Sequence, residues 1–318
     1  MSEKILIMPI NKFKKEQIKK LKKIAPEYDF IIKTRENVKI KDMVKPEVIY
    51  GIPSREQLKK AANLKWLQLE SAGADNFINK EIYPNKNIIL TNSSGVYGLP
   101  IAEHVLSMIL AFNKNIPQYV KQKQDKTWQG LEKNRDLYNS VVGIIGLGDI
   151  GNQIAKKSHA LGSKVLAVKN TPENKPEYVE KLWGQEGINT LLQKSDYVVL
   201  ALPLTEQTMG IIDEKRLKLM KPDAFLVNIG RGKLIEQEAL IKALKKDWIA
   251  GAGLDVTNPE PLPESSPLWD LKNVILTPHV SGLSPSNIER KFDIFRENLK
   301  RYINGDNLIN KVDFSRQY

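Results

Sequence analysis

The segment Val141-Val142-Gly143-Ile144-Ile145 runs without a break into Gly146-Leu147-Gly148-Asp149-Ile150-Gly151. A β-branched strand that ends in G-x-G-x-x-G, with a good helical pattern over 152–161, leaves few folds open. Gly146 permits the tight turn out of the strand. Gly148 lets the backbone approach a pyrophosphate, and Gly151 lets helix and strand pack closely. The helix start offers free N–H groups, those of Asp149 and Ile150 among them, and the positive end of its dipole. This pattern predicts a parallel α/β sheet that binds a dinucleotide. No G-x-x-x-x-G-K-[ST] occurs, which argues against a P-loop nucleotide triphosphatase.

The rest of the chain repeats the alternation. Short apolar runs at 4–8, 30–33, 48–50, 66–69 and 88–91 read as strands, and a long helix is predicted from about 100 to 113. A polar, lysine- and glutamine-rich stretch follows to about 139. Strand signals resume at 141–145, 164–168, 197–201, 224–228, 251–254 and 274–277, with helical patterns between most of them. Such alternation predicts parallel sheets covered by helices on both faces, and the break near residue 100 divides them into two α/β units. The expected architecture is thus two doubly wound parallel-sheet domains. Ser284 is expected to cap a final helix that reaches about Tyr302, with Pro285 in its first turn.

Charge is the unusual part of the composition. Lys and Arg number 49 against 37 Asp and Glu, a net charge of +12 over 318 residues. Between Lys12 and Lys23 the lysines fill most positions around Ile18, Leu21 and Ile24, which recur at helical spacing. That pattern reads as the solvated face of an amphipathic helix rather than a nucleic-acid patch. A positive protein also draws in anionic cofactors and substrates. Cysteine is absent, which removes disulfides, zinc-thiolate sites and a cysteine nucleophile, and no metal site is expected. No uncharged apolar run approaches the length of a membrane span, and the first residues lack a signal-peptide layout. A cytoplasmic protein with neither membrane nor nucleic-acid partners is expected.

The strand after the glycine loop speaks to cofactor choice. NAD-binding units usually end it with an acidic residue for the ribose 2′-OH. Here it leads into Lys169-Asn170-Thr171, without a carboxylate. Lys169 suits a 2′-phosphate and Thr171 can hydrogen-bond one, so NADP is favoured over NAD. The plainer alternative is a surface lysine beside an adenine rim.

Three histidines occur: His104, His159 and His279. The first two lie in predicted helices and read as structural. His279 follows a strand and Thr277-Pro278, at the sheet edge where α/β folds place their ligands. Arg231 stands between two glycines after the strand 224–228, and an arginine fork can grip a carboxylate with two parallel hydrogen bonds. Glu260 lies in the rigid loop Asn258-Pro259-Glu260-Pro261. Taken singly, each has a structural reading: a surface arginine, a solvated glutamate, a core histidine. Together they compose a site for proton transfer on an anionic substrate.

With these residues assembled, the chain resembles the D-isomer-specific 2-hydroxyacid dehydrogenases. The likeness runs through Ser71-Ala72-Gly73-Ala74-Asp75, Asn92-Ser93-Ser94-Gly95, Ile101-Ala102-Glu103-His104, the glycine loop and Leu202-Pro203-Leu204-Thr205. It continues through Met220-Lys221-Pro222, Asn228-Ile229-Gly230-Arg231-Gly232, Gly253-Leu254-Asp255-Val256 with Glu260-Pro261, and Thr277-Pro278-His279. The resemblance implies a discontinuous, flavodoxin-like substrate domain, 1–98 and 285–318, and a Rossmann-like dinucleotide-binding domain, 99–284. It implies an NAD(P)-dependent oxidoreductase acting on a small 2-keto or 2-hydroxy acid. In its terms Arg231 binds the substrate carboxylate and polarises the keto oxygen. His279 exchanges a proton with that oxygen, and Glu260 hydrogen-bonds His279. Asp255 helps hold the nicotinamide amide. Leu202, Pro203, Thr208, Ile229, Arg231, His279 and Gly282 complete the cofactor contacts. Ala72 and Gly73 lend N–H groups to the substrate, with Ser94 and Gly95 nearby. A homodimer through the region 100–128 is also implied. The resemblance leaves room for an NAD-using phosphoglycerate or D-lactate dehydrogenase, and for a dinucleotide-sensing, corepressor-like scaffold without physiological turnover.

Overall fold

A computed structural model describes residues 3–10, 12–132 and 134–318. The chain divides into two compact units, one running through Tyr97 and resuming at Ser284–Tyr318, the other Gly98–Leu283. The boundaries expected from the sequence, 98/99 and 284/285, lie one residue further along at each crossing.

Unit 1 carries β1 (Lys4–Met8), α1 (Lys15–Ile24), β2 (Asp29–Ile32), α2 (Ile40–Met43), β3 (Val48–Gly51), α3 (Arg55–Lys59), β4 (Trp66–Gln68) and β5 (Ile89–Thr91). The strands form one sheet in the order β2-β1-β3-β4-β5, every pair parallel. Successive side chains of a strand point to opposite faces, so a sheet covered on both sides needs apolar residues in unbroken runs. Ile5-Leu6-Ile7-Met8 meets that need, and all four are buried. Leu6, Met8, Ile49 and Leu67 face one core with Met43 and Leu58. Ile5, Ile7, Tyr50 and Trp66 face another, completed from the far end of the chain by Phe292, Phe295 and Leu299. Each large side chain buried there contributes about 1.5–3 kcal/mol. In α1, Leu21 is buried, Ile18 and Ile24 are half-buried and Lys15, Lys19, Lys20, Lys22 and Lys23 are exposed, an amphipathic helix with a solvated basic face.

Unit 2 carries α4 (Gly98–Asn113), α5 (Ile116–Gln124), β6 (Val141–Ile145), α6 (Asp149–Ala160), β7 (Lys164–Val168), β8 (Lys181–Trp183), α7 (Ile188–Lys194), β9 (Tyr197–Leu200), α8 (Glu214–Leu219), β10 (Phe225–Asn228), α9 (Gln237–Lys245), β11 (Gly251–Leu254) and β12 (Val274–Leu276). Its sheet runs β12-β11-β10-β9-β6-β7-β8, again parallel at every pair. Strand order reverses between β6 and β9, which makes the carboxyl ends of those strands the crevice where such sheets take ligands. The predicted fold class, two doubly wound parallel-sheet units with one Rossmann-like, is the observed one.

Three local expectations need correction. The polar stretch after residue 113 contains α5, broken from α4 by Asn115 in the left-handed region (φ +53°). β8 is a further strand, between a polar loop and a short helix, where the sequence pattern predicts none. The last helix, α10, spans Asn287–Asn304 rather than starting at Pro285. Ser284 instead closes the turn before it: its hydroxyl accepts from the Ser286 N–H (3.3 Å) and its carbonyl from the Asn287 N–H (3.1 Å).

Candidate active site

In unit 2 the glycine loop leaves β6 at Ile145 and enters α6 at Asp149. Gly146 has φ +103°, and a Cβ there would stand 2.5 Å from the Ala201 carbonyl oxygen, so only glycine fits both turn and neighbour. A Cβ on Gly151 would lie 2.1 Å from the Gly146 carbonyl oxygen, while one on Gly148 would meet nothing within 4 Å. The loop is thus closed behind and open at Gly148. Gly148 is also the N-cap of α6 and supplies no side-chain hydrogen bond to the helix. The N–H groups of Asp149 and Ile150 therefore begin a helix whose positive end has open space before it. These residues fit a dinucleotide pyrophosphate.

The other residues assigned to the cofactor lie after neighbouring strands. Lys169, half-buried, follows β7 and donates its N–H to the Trp183 carbonyl (3.0 Å), which ties it to the edge strand β8. Asn170 accepts from Gln185 Nε2 (3.0 Å), and Thr171 is exposed. Leu202 and Pro203 follow β9. The Thr208 hydroxyl closes their loop by donating to the Pro203 carbonyl (2.7 Å) and accepting from the Thr205 N–H (2.8 Å). Ile229 is buried just past β10.

Arg231, Glu260 and His279 lie beyond the carboxyl ends of β10, β11 and β12, three adjacent strands. The buried Asn228 shapes the arginine turn, which sequence reasoning did not foresee. Its Nδ2 donates to the Arg231 carbonyl (2.9 Å) and its Oδ1 accepts from the Gly230 N–H (3.1 Å). Gly232 is required by crowding, since a Cβ there would lie 1.9 Å from the Thr257 carbonyl oxygen. That contact sets the arginine turn against the glutamate loop. Glu260 accepts the Thr257 N–H through Oε1 (3.2 Å) and faces His279 Nδ1 through Oε2 at 2.8 Å. A carboxylate only accepts, so Nδ1 carries the proton. Nε2 is left to exchange one with a substrate. Both side chains remain partly exposed, His279 at 49% and Glu260 at 38%.

Asp255 is built differently. It is 1% exposed, and its carboxylate accepts from the Thr277 hydroxyl (2.6 Å), the Val280 N–H (2.9 Å) and the Ser281 N–H (3.0 Å). Burial pushes its carboxyl up, but the hydrogen bonds from Ser281, Thr277 and Val280 outweigh it and hold the group below the usual carboxylate range. The Asp255 carbonyl also takes the His279 N–H at 2.8 Å. His279 sits at φ +54°, a left-handed conformation that costs a non-glycine residue about 1–2 kcal/mol. Asp255 is therefore a clamp on the turn that bears His279, and Gly282 follows at its end. His104, read from the sequence as structural, lies on α4 with its Nε2 3.0 Å from Thr277 Oγ1. His159 is exposed on α6.

Unit 1 holds the residues assigned to the substrate. Ala72 and Gly73 follow β4; Ser94 and Gly95 follow β5. Asn92 knits the two loops, donating to the Ala72 carbonyl (2.8 Å) and accepting the Ser94 N–H (3.0 Å). Asn310, from the end of the chain, donates to the Ser94 carbonyl (2.8 Å). Gly95 has φ +90° and open space around it. Before these loops sits Glu70, 2% exposed, accepting from the Ile10 N–H (2.8 Å) and the Tyr50 hydroxyl (3.3 Å) with Lys291 at 3.8 Å. Burial raises its carboxyl above the usual range despite these partners.

The sequence profile described as D-isomer specific 2-hydroxyacid dehydrogenase, NAD binding domain, matches residues 106–281. A glyoxylate reductase of Thermococcus gammatolerans is 36% identical over 268 residues, 80% of this chain and 79% of its own. A glyoxylate reductase of Thermococcus litoralis is 35% identical over 318 residues, 96% of this chain and 93% of its own. The crystal structure of a D-isomer specific 2-hydroxyacid dehydrogenase from Xanthobacter autotrophicus, in complex with NADPH and MES, is 28% identical. It superposes with a TM-score of 0.85 over 100% of both chains. A dinucleotide cradle, a histidine–glutamate pair and an arginine between glycines, on a chain with these relatives, lead to one conclusion: the chain belongs to the D-isomer-specific 2-hydroxyacid dehydrogenase family, NAD(P)-dependent oxidoreductases that interconvert 2-ketoacids and 2-hydroxyacids.

Proposed function

We propose that this protein reduces a small 2-ketoacid of the glyoxylate class with NADPH, using Arg231, Glu260 and His279. The observation that carries the reading is the 2.8 Å His279–Glu260 hydrogen bond beyond the sheet that bears the dinucleotide loop. The cofactor supplies or accepts a hydride when bound. The Arg231 guanidinium grips the substrate carboxylate and draws electron density from the keto oxygen. His279 Nε2 donates a proton to that oxygen, and Glu260 stabilises the imidazolium through Nδ1. The N–H groups of Ala72 and Gly73 hold the carboxylate, with Ser94 and Gly95 contributing backbone to the same task. Gly146, Gly148, Asp149, Ile150 and Gly151 take the pyrophosphate. Leu202, Pro203, Thr208 and Ile229 flank the cofactor, with Asp255 and Gly282 at the nicotinamide end. Residues 1–98 with 285–318 act as the substrate domain and 99–284 as the dinucleotide domain.

Three further parts of the reading rest on separate observations. Lys169, Asn170 and Thr171 end β7 without a carboxylate, which favours a 2′-phosphate and hence NADP. Leu99, Leu110, Ile116, Val120 and Trp128 are exposed on or just after α4 and α5, an apolar face that suits a second copy of the chain. No helix among the described residues is long and apolar enough to cross a membrane. The proposal places the protein in the cytoplasm, without nucleic-acid partners. The likeness to glyoxylate reductases does not favour the sensing-scaffold alternative.

The test is initial-rate oxidation of NADPH and NADH with glyoxylate, hydroxypyruvate, pyruvate and a bulky 2-ketoacid, with His279→Ala beside the wild type. Turnover of a small ketoacid that vanishes in the variant supports the reading. Cofactor binding without turnover of any ketoacid overturns it.

A further inference from the structure

We infer that His104 is a positioning residue for His279, acting through the Thr277 hydroxyl. The inference rests on the reading of His279 as proton donor. Thr277 has one hydroxyl hydrogen, and the Asp255 Oδ1 at 2.6 Å, which can only accept, takes it. The Thr277 oxygen is then the acceptor at the 3.0 Å contact with His104 Nε2, so that nitrogen is protonated and donates. A three-member chain results: the α4 imidazole donates to the threonine, and the threonine donates to the buried aspartate.

The chain ends at the turn that carries His279. Thr277 lies two residues before His279, and its carbonyl accepts the His279 N–H at 3.0 Å. The Asp255 carboxylate, which the same hydroxyl satisfies, also holds the N–H groups of Val280 and Ser281 just after it. His279 itself is held at φ +54°, where a non-glycine residue stays only if its surroundings fix it. His104 is well placed to help fix it. Its side chain is 20% exposed and its Nε2 is 3.8 Å from Asp255 Oδ1, so it lies beside the buried negative charge as well as the hydroxyl. Losing the donor frees the threonine rotamer and loosens one side of the turn. Arg231, which grips the substrate carboxylate from the neighbouring turn, is not part of this chain. Proton delivery therefore suffers while ketoacid binding does not.

The experiment compares wild type, His104→Leu, His104→Gln, Thr277→Val and the His104→Leu/Thr277→Val double variant. The readouts are NADPH-dependent glyoxylate turnover and imidazole ¹⁵N NMR of the cofactor-free protein. The expected result for His104→Leu is a kcat about tenfold lower, with the glyoxylate KM within about twofold, as for a misplaced catalytic group. His104→Gln keeps an amide donor and should recover most of the rate. The double variant should be no worse than Thr277→Val alone, because both act along one path. The His279 ring resonances should shift in His104→Leu and return towards wild type in His104→Gln. Unchanged His279 resonances, or additive losses in the double variant, overturn the inference. So do equal losses in the leucine and glutamine variants that follow a common fall in Tm. Failure of the parent reading is distinct: His279→Ala would then retain turnover while the NMR coupling stood.

Discussion

Each unit sets its candidate groups on loops beyond the carboxyl ends of its own parallel strands, but the two use different parts of the chain. Unit 2 offers side chains: Arg231, Glu260 and His279. Unit 1 offers mainly backbone at Ala72, Gly73, Ser94 and Gly95, held in shape by Asn92 and Asn310. Charge divides unevenly as well. Unit 1 has 26 basic and 16 acidic residues, whereas unit 2 has 23 and 21, so most of the +12 rides on unit 1. Backbone dipoles need no particular side chain to receive an anion, and a diffuse positive field draws it from a distance. Proton transfer has no such freedom, since it needs a titratable atom at one position.

Substitutions can break this contrast. His279→Ala should have the largest effect, a loss of about 10³ in kcat with NADPH affinity little changed, measured by steady-state rates and cofactor fluorescence titration. Arg231→Lys keeps the charge and loses the planar fork, so kcat/KM should fall on the order of 10²; near-normal turnover would remove Arg231 from the site. Lys169→Asp should lower the NADPH-to-NADH preference about tenfold, the worth of one charge-assisted hydrogen bond, read from kcat/KM for each cofactor. In unit 1, Asn92→Ala should raise the ketoacid KM several-fold and cost about 1–2 kcal/mol of stability, with kcat nearly intact. A fall in kcat without a change in KM would erase the distinction between the units.

The smallest effects are in stability against pH, where the buried carboxyls Asp255 and Glu70 have opposite signs. Asp255 is held low, so the folded state binds fewer protons than the unfolded one near its midpoint. Its stabilisation is present above the ordinary carboxylate value of about 3.9 and is lost as pH falls through its own lower value. Glu70 is held high. Its contribution is full below about pH 4.3 and is lost as pH rises through its raised value. Thermal unfolding followed against pH should therefore show a weaker acid dependence in Asp255→Asn and a smaller decline above pH 4 in Glu70→Gln. An exchange of the two outcomes would reverse the assignment of their surroundings.

The same division explains what could be read from residues alone. β1, β6, β7 and β11 have the expected bounds because unbroken apolar runs mark strands buried on both faces. β8 was missed because Lys181-Leu182-Trp183 is a three-residue edge strand with one residue exposed, too short for a period to register. α5 was missed because its sequence is polar and no residue in it is buried. At the candidate site, the residues that suggest chemistry are visible as types: glycines, an arginine between glycines, a glutamate and a histidine. Asn92, Asn228, Thr277 and His104 are not, because each acts by bonding to backbone or to another side chain far along the chain. Asn92 satisfies a carbonyl 20 residues away and Asn228 one within its own turn, and an asparagine in a loop has many plainer uses. His104 lies among apolar helical neighbours, and its partner is 173 residues away.

The return of the chain to unit 1 has a consequence for how the protein is made. Tyr50, Trp66 and the outer side chains of β1 are covered by Phe292, Phe295 and Leu299 of α10, with Tyr50–Phe295 ring centroids 4.6 Å apart. A ribosome releases those strands long before it releases the helix that covers them. During translation the early sheet must wait, with one greasy side open, while the whole of unit 2 emerges and folds. Closure of this hydrophobic face is thus a late event of long sequence separation, slow by the measure of contact order. The nascent chain is a natural client for chaperones until its last turns arrive.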